Sequence, residues 1–312
     1  MRFFLRLLLL TYGFTFYLVT TVQAAELAVV IVSSDRSAAY VEAEQALLSE
    51  LERGGVSRYD MLQVTAQEWA GAAALKPKLI VALGSEASAV LAKADTRLPV
   101  LCTLLPRSSF ERILRTSGRK SSSQFSAIYL DQPLNRQLEL IRLALPAVRR
   151  IGVLWGPESQ VQAPVLRGLL QSRGGELTEA SVGRDEVLFP ALKRVLDDSD
   201  LLLAVADPQV YNSSTIQNIL LSSFRARVPL VAFSPAYVRA GALLALHVTP
   251  TQVGQQAAVM ARSVLQGKAL SATPVYSNDF SVTVNEHVAY SLGLTLDAVS
   301  LRERLRSKES TP

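Results

Sequence analysis

The chain has 312 residues, with 32 basic and 27 acidic side chains and a net charge of +5. This length suits two α/β lobes with separate cores, and the near balance of charge gives no reason to expect a nucleic-acid partner. Cys102 is the single cysteine, so no intramolecular disulfide can form and stability must come from packing.

The first 24 residues have the pattern of a secretory signal peptide. Arg2 and Arg6 precede a long apolar run, which ends in a small-residue cleavage pattern at Ala24. We expect cleavage there and release of a soluble protein into the periplasm, without a lipid anchor, because no cysteine stands at the cleavage point. An uncleaved membrane anchor is the alternative, since residues 3–22 are nearly long enough to span a bilayer.

Apolar strands alternate with helical patterns in the first half of the mature chain, which is typical of βαβ units and a mainly parallel sheet. The first predicted helix, 38–53, has Leu47 and Leu51 on one face and ends at Gly54. The remaining predictions for this half are strands at 27–34, 61–64, 79–84 and 100–105, and a helix at 86–94.

A second series of the same kind follows a polar stretch at 116–124. Its predicted strands are 127–130, 151–155, 177–182, 201–206, 228–233 and 242–248. Its predicted helices are 134–145, one that ends near 172, 186–196 and 214–226. No long linker separates the two halves, so we expect them to be interlaced by several crossovers.

The strongest helix prediction is 250–266. Thr249 is an N-cap candidate, Pro250 takes the first helical position, and Gln252 completes a Thr-x-x-Gln capping box. Gly267 supplies the stop.

Ligands of open α/β sheets bind beyond the carboxyl ends of the strands, where helix N-termini also point. The candidate ligand-binding residues all follow predicted strands in this way. They are Ser34, Asp35, Gly84, Ser85, Trp155, Asp207, Ser234 and Tyr237.

Each of the stronger candidates has a structural alternative. Free amides at Gly84 and Ser85 could hold a carboxylate, or Ser85 could only cap a helix, and Glu86 in the first turn would repel an anion. Asp207 could receive a ligand ammonium or cap the segment that follows it. Trp155 could stack on a ligand or pack in the core.

Enzyme signatures are lacking. The sequence has no Gly-x-Ser-x-Gly, Gly-x-Gly-x-x-Gly or Gly-Lys-Ser/Thr motif. His247 and His287 are the only histidines, and neither has cysteine or histidine neighbours at ligand spacing. We therefore expect no catalytic activity, no cofactor and no metal.

Four segments together carry a family resemblance: NRQLELIRLALPAVRRIGVLWGP at 135–157, ADP at 206–208, VPLVAFSPAYVRAGALLALHVTPTQVGQQAA at 228–258 and VTVNEHVAYSLGLTL at 282–296. With these segments in this order, the chain resembles the type I periplasmic binding proteins. Within them it resembles the ABC-transporter substrate-binding family that includes tryptophan- and tyrosine-type receptors.

The resemblance implies two Rossmann-like, doubly wound α/β lobes joined by three crossovers, with a small-molecule ligand held in the cleft between them. The expected lobes are 25–127 plus 249–275 and 128–248 plus 276–312, with crossovers near 126–130, 247–249 and 273–277. It also implies a monomer that delivers its ligand to an ABC permease in the inner membrane. The family's anion loop corresponds to 84–87, its aspartate to Asp207 and its strand-end aromatic residue to Trp155.

The sequence departs from the family at Glu86 and in the loops at 104–108 and 123–126. These departures keep open a second interpretation, an envelope sensor or assembly partner that has the bilobal fold but no ligand. A periplasmic hydrolase is a third, and would require a serine, a histidine and an acid to converge.

Overall fold

The computed structural model describes residues 27–94, 96–183 and 186–309. The predicted signal peptide, residues 1–24, lies outside the described residues. Within these ranges, no helix has the length and apolar character needed to cross a membrane.

The strands follow the predicted βαβ rhythm. In chain order they are β1 (Val29–Ser33), β2 (Met61–Thr65), β3 (Leu79–Leu83), β4 (Val100–Leu105), β5 (Phe125–Tyr129), β6 (Arg150–Trp155), β7 (Glu176–Ser181), β8 (Leu201–Leu203), β9 (Leu230–Ala232), β10 (Leu244–His247), β11 (Val275–Tyr276) and β12 (Ser281–Val284).

Helices connect these strands. In chain order they are α1 (Ala38–Arg53), α2 (Trp69–Ala72), α3 (Ser85–Lys93), α4 (Arg107–Ser117), α5 (Leu134–Ala144), α6 (Ala163–Gln171), α7 (Leu188–Asp197), α8 (Ile216–Ala226), α9 (Pro235–Ala240), α10 (Pro250–Leu265), α11 (Glu286–Ser291) and α12 (Ala298–Glu309). Short 3-10 turns occupy Arg58–Asp60 and Gln160–Gln162.

Two six-stranded sheets form the two lobes. The first has the order β11, β5, β4, β3, β1, β2 and is parallel throughout, and the second has the order β12, β10, β9, β8, β6, β7 with only β12 antiparallel. Every residue of β1 and β3 is buried. Such continuous apolar runs are what a parallel strand needs when helices cover both faces of its sheet. The predicted doubly wound, bilobal α/β fold is therefore confirmed.

The chain passes between the sheets three times, after β5, after β10 and after β11. The second passage leads into α10, which packs on α1 of the first lobe. A Cβ at Gly254 would lie only 2.2 Å from the carbonyl oxygen of Ala43, so a glycine is needed for this close approach of the two helices. The predicted lobe boundary at 127 falls inside β5, and the one at 275 falls at the first residue of β11. Both strands belong to the first sheet.

The predicted capping box at the start of α10 is present. The backbone amide of Gln252 donates its hydrogen to Thr249 Oγ1 at 3.2 Å, and the backbone amide of Thr249 donates to Gln252 Oε1 at 2.8 Å. Two backbone N–H groups that lack a partner within the helix are thus hydrogen-bonded by side chains only three residues away. Because the motif is local in sequence, this helix could be predicted.

Two helices of the first lobe, the four-residue α2 and the longer α4, were not predicted. The sequence analysis places a turn and then a polar stretch where α4 forms at Arg107–Ser117. Only Ser108, Phe110 and Ile113 of this helix are buried, so its apolar stripe is too short to stand out from the sequence.

Candidate ligand-binding cleft

The carboxyl ends of the parallel strands lead into the loops that carry the predicted site residues. In the first lobe these loops are 34–37 after β1 and 84–86 after β3, and in the second they include 156–159 after β6. An ion pair joins the lobes here, because Arg112 Nε of α4 lies 2.9 Å from Glu158 Oε1. The loop after β6 therefore lies against the first lobe.

Ser34 organises the first lobe's side of the cleft. Its hydroxyl donates to the carbonyl oxygen of Leu83 at 2.9 Å and accepts the amide hydrogen of Ala87 at 3.0 Å. It thus ties the end of β1 to the end of β3 and to the first turn of α3. The first-turn amides of Ser85 and Glu86 have no intrahelical partner and are left open to water or a ligand.

Gly84 makes this arrangement possible. Its φ of +92° lies in the region that favours glycine. A Cβ there would lie 2.5 Å from Ser34 Oγ and 2.6 Å from the ring of Tyr40. The residue is therefore required by the geometry of the loop, whether or not its backbone also contacts a ligand.

Asp35 and Glu86 make this side of the cleft negative. Asp35 is exposed and accepts the Ser37 amide hydrogen at 2.6 Å, and hydrogen bonds from Ser37 hold the pKa of its carboxyl below the usual range. Burial, followed by the charges of Asp35 and Glu86, raises the pKa of Tyr40. Sequence reasoning missed Tyr40 as a wall residue, because its helical position indicated only packing.

Asp207 fixes the loop on the second lobe. It is 2 % exposed, and its Oδ2 accepts amide hydrogens from Glu158 at 2.9 Å and Ser159 at 2.8 Å. Its Oδ1 accepts the Gln209 amide hydrogen at 2.9 Å. A Cβ at Gly156 would lie 2.1 Å from Oδ1, so the loop wraps closely around the carboxylate. This geometry favours the capping role that the sequence left open beside ligand binding.

Three aromatic rings form a cluster at the ends of β8 and β9. The ring centroids of Tyr211 and Phe233 lie 5.9 Å apart, and those of Phe233 and Tyr237 lie 5.2 Å apart, both edge to face. Tyr211 is 5 % exposed and its hydroxyl has no hydrogen-bond partner in the described residues. Burial, with smaller contributions from Tyr237 and Asp207, raises the pKa of Tyr211. Burial also raises the pKa of the half-buried Tyr237.

The two remaining candidates take different positions. Ser234 caps α9, accepting the Ala236 amide hydrogen at 3.2 Å, beside the aromatic cluster. Trp155 is 1 % exposed and donates its indole hydrogen to Glu179 Oε2 at 2.6 Å, within the core of the second lobe. Its burial favours packing, and no face of the ring is offered to a ligand.

The described residues of the cleft contain no cluster of metal ligands. In the ranges that the structure describes, no group of three His, Cys, Asp or Glu residues could hold a metal ion. His247 closes β10, where its Nε2 lies 2.9 Å from Thr283 Oγ1 on the neighbouring strand β12. The cleft combines open amides, acidic side chains and aromatic rings, which suits reversible binding of a small molecule.

A family model described as "ABC transporter substrate binding protein" matches residues 58–304. The chain belongs to this family. The match covers every strand of the two sheets except β1, and all three passages of the chain between the sheets.

A curated relative of the family is the tyrosine-binding protein of Clostridioides difficile strain R20291. It is 22 % identical over 223 residues, which are 70 % of this chain and 64 % of the relative. The chain thus spans slightly less than two thirds of that relative's length.

Solved structures share the fold. A conserved domain protein of Vibrio cholerae has a TM-score of 0.62 at 22 % identity, covering 88 % of this chain and 98 % of its own. A ligand-free, open substrate-binding protein with adhesive properties from Clostridium difficile has a TM-score of 0.68 at 19 % identity, with coverages of 87 % and 96 %. A Streptococcus pneumoniae domain in complex with L-Trp has a TM-score of 0.60 at 17 % identity, with coverages of 88 % and 98 %. These similarities place the chain in the type I periplasmic binding protein fold.

Proposed function

We propose that the protein is the periplasmic receptor of an ABC importer. It binds one small molecule between its lobes and delivers it, as a monomer, to a permease in the inner membrane. The observation that carries this proposal is the pair of α/β lobes with three passages between them, in a chain of the substrate-binding family. No covalent chemistry is involved.

We further propose that the ligand is an amino acid with an aromatic side chain. Phe233 and Tyr237, the two partly exposed rings of the aromatic cluster, offer edges and faces for a ligand ring, and the buried Tyr211 packs against Phe233. The open amides of Ser85 and Glu86 offer donors for its carboxylate. Two similar proteins, one a tyrosine-binding protein and one solved in complex with L-Trp, support the same class of ligand.

Closure of the lobes would follow from the ligand itself. A ligand shifts the balance between open and closed states only through contacts that differ between them. A molecule that contacts α3 of the first lobe and the aromatic cluster of the second makes its full set of contacts only when the lobes close.

A thermal-shift screen of residues 25–312 tests the proposal. The panel contains amino acids, short peptides, nucleosides, sugars and organic acids. A ligand at about a thousand times its dissociation constant adds roughly 4 kcal/mol of stability, which gives a clear rise in Tm. We expect aromatic amino acids to give the largest rise. If no member of the panel raises the Tm, solute capture is contradicted and the envelope sensor or assembly partner is favoured.

Two variants locate the site. Tyr237→Ala should weaken binding of an aromatic amino acid at least tenfold, by roughly 1.4 kcal/mol or more. Tyr59→Ala, which removes a tyrosine that is 92 % exposed in the first lobe, is the matched control and should leave affinity unchanged. Equal affinities of the two variants would place the ligand away from the aromatic cluster.

A third variant tests the carboxylate position. Glu86 is an exposed acid in the first turn of α3, where it opposes a bound anion. Glu86→Gln should therefore tighten binding of an amino acid by about two- to fivefold at low salt. An amine with the same side chain but no carboxylate should bind Glu86→Gln more weakly than it binds the wild type.

A further inference from the structure

A groove of about 470 Å³ lies on the second lobe, away from the cleft. It is formed by the end of α8, the residues that lead into β9 and the end of α11. These are the amino ends of the parallel strands, so the groove opens at the edge of the sheet opposite to the proposed ligand site. Its volume falls in the range of small-molecule sites.

Apolar side chains form about half of the wall of the groove. Phe224 is 63 % exposed although it is a large aromatic residue. The apolar lining residues are Leu220, Phe224, Val228, Leu230, Val288 and Leu292.

Two arginines stand at the rim. Arg225 and Arg227 line the groove, and in the described residues neither guanidinium has an ion pair or a hydrogen bond. The described lining contains no acidic residue. Arg227 also has a φ of +55°, at the helix end where glycine is the usual residue. An arginine is thus kept in a backbone conformation that costs free energy, beside an apolar groove that lacks a counter-charge.

A buried hydroxyl points to the same ligand. Ser223 lines the groove and is 3 % exposed, yet its Oγ has no hydrogen-bond partner in the described part of the chain. Buried polar groups are normally hydrogen-bonded, and an unpaired one needs an explanation. An anionic head group that enters between the two arginines would supply an acceptor for this hydroxyl.

We propose that this groove binds a small amphipathic anion, a carboxylate or phosphate that carries an aliphatic or aromatic tail. The tail lies on the apolar wall around Phe224, and the head group is held by Arg225, Arg227 and Ser223. The site is separate from the cleft and does not depend on the ligand proposed there.

Isothermal titration of the full mature protein with decanoate, below its micelle concentration, tests the site. Decylamine and decanol are the probes of opposite and zero charge. We expect decanoate to bind and decylamine to bind at least tenfold more weakly. Equal binding of the two would overturn the proposal, because it would show hydrophobic adsorption without recognition of the anion.

Variants separate recognition from folding. In the double variant Arg225→Gln, Arg227→Gly, glycine adopts the positive φ of the helix end without strain. This variant should bind decanoate at least tenfold more weakly than the wild type. Arg115→Gln removes an exposed arginine of α4 in the first lobe and should change affinity less than twofold. Ser223→Ala should weaken decanoate about threefold with no loss of Tm, since it removes an unpaired hydroxyl.

Two controls keep this site distinct from the cleft. A cleft ligand found by the thermal-shift screen should bind the double variant with unchanged affinity, and decanoate should bind Tyr237→Ala as it binds the wild type. Vesicles of anionic lipid distinguish a membrane surface from a free molecule. Binding to such vesicles without binding to decanoate would overturn the proposal.

Discussion

Asp207 Oδ2 accepts the backbone amide hydrogen of Ser159 at 2.8 Å, although the two residues are 48 positions apart in the chain. The same carboxylate holds the amides of Glu158 and Gln209, and little of it is exposed. Asp207 therefore joins the loop after β6 to the loop after β8. The shape of the second lobe's side of the cleft depends on this joint.

Asp207→Ala should destabilise the protein by about 2–4 kcal/mol, because one buried and two partly buried amides lose their acceptor at once. Asp207→Asn should cost less, since it keeps the side-chain volume and one oxygen. Urea unfolding followed by circular dichroism gives both values. An unchanged midpoint for Asp207→Ala would show that water satisfies these amides and that the carboxylate is free for another role.

Gly84→Ala should destabilise the first lobe by about 3 kcal/mol or more. The added Cβ meets Ser34 Oγ at 2.5 Å, and the positive φ disfavours any side chain. Gly118→Ala is the matched control, because Gly118 has a φ of +71° with nothing within 4 Å of its Cβ. It should cost only about 1 kcal/mol, the backbone part alone. Equal losses would show that the loop around Gly84 relaxes without strain.

These residues show what could be predicted from the sequence. The strand ends could be predicted because β1 and β3 are continuous apolar runs. Helix α10 could be predicted because its capping box lies within four consecutive residues. Capping by Asp207 was one of two roles that the sequence left open, but its contacts with Glu158 and Ser159 and the contact of Gly84 with Ser34 were not predictable, since these partners are about fifty residues away. The helix α4 was missed because its buried stripe has only three residues.

The ion pair between Arg112 and Glu158 should bias the ligand-free protein toward closure. Glu158→Gln should lower apparent ligand affinity by about two- to fivefold, since partly exposed pairs contribute up to about 1 kcal/mol. Without ligand, Glu158→Gln should have a larger radius of gyration than the wild type, as measured by small-angle scattering. The matched control is Glu111→Gln, which removes the pair with Arg107 inside the first lobe and should change neither value. A similar change in both variants would exclude a specific effect on closure.

Cys102 should not react with a thiol reagent in the folded protein. It is fully buried in β4, and burial raises the pKa of its thiol to about 12, so the reactive thiolate is scarce at neutral pH. The measurement is the rate of labelling by dithionitrobenzoate with and without urea. We expect labelling to follow global unfolding. Rapid labelling of the native protein would reveal local opening of the first sheet.

His247 should make stability depend on pH. Burial lowers the pKa of its imidazole below the ordinary 6.5. The folded protein therefore binds fewer protons than the unfolded chain, and the stability it contributes is present above about pH 6.5. This contribution is lost as the pH falls from there through the lower pKa of the folded state. Urea unfolding between pH 7.5 and pH 5 measures the loss.

The variant His247→Gln should flatten this pH dependence. Glutamine does not titrate, and it keeps a polar group within reach of Thr283, which lies 2.9 Å from the imidazole. His287→Gln removes an exposed histidine and should retain the wild-type profile. If His247→Gln retains that profile as well, the loss of stability at low pH comes from other groups, and the buried imidazole has no part in it.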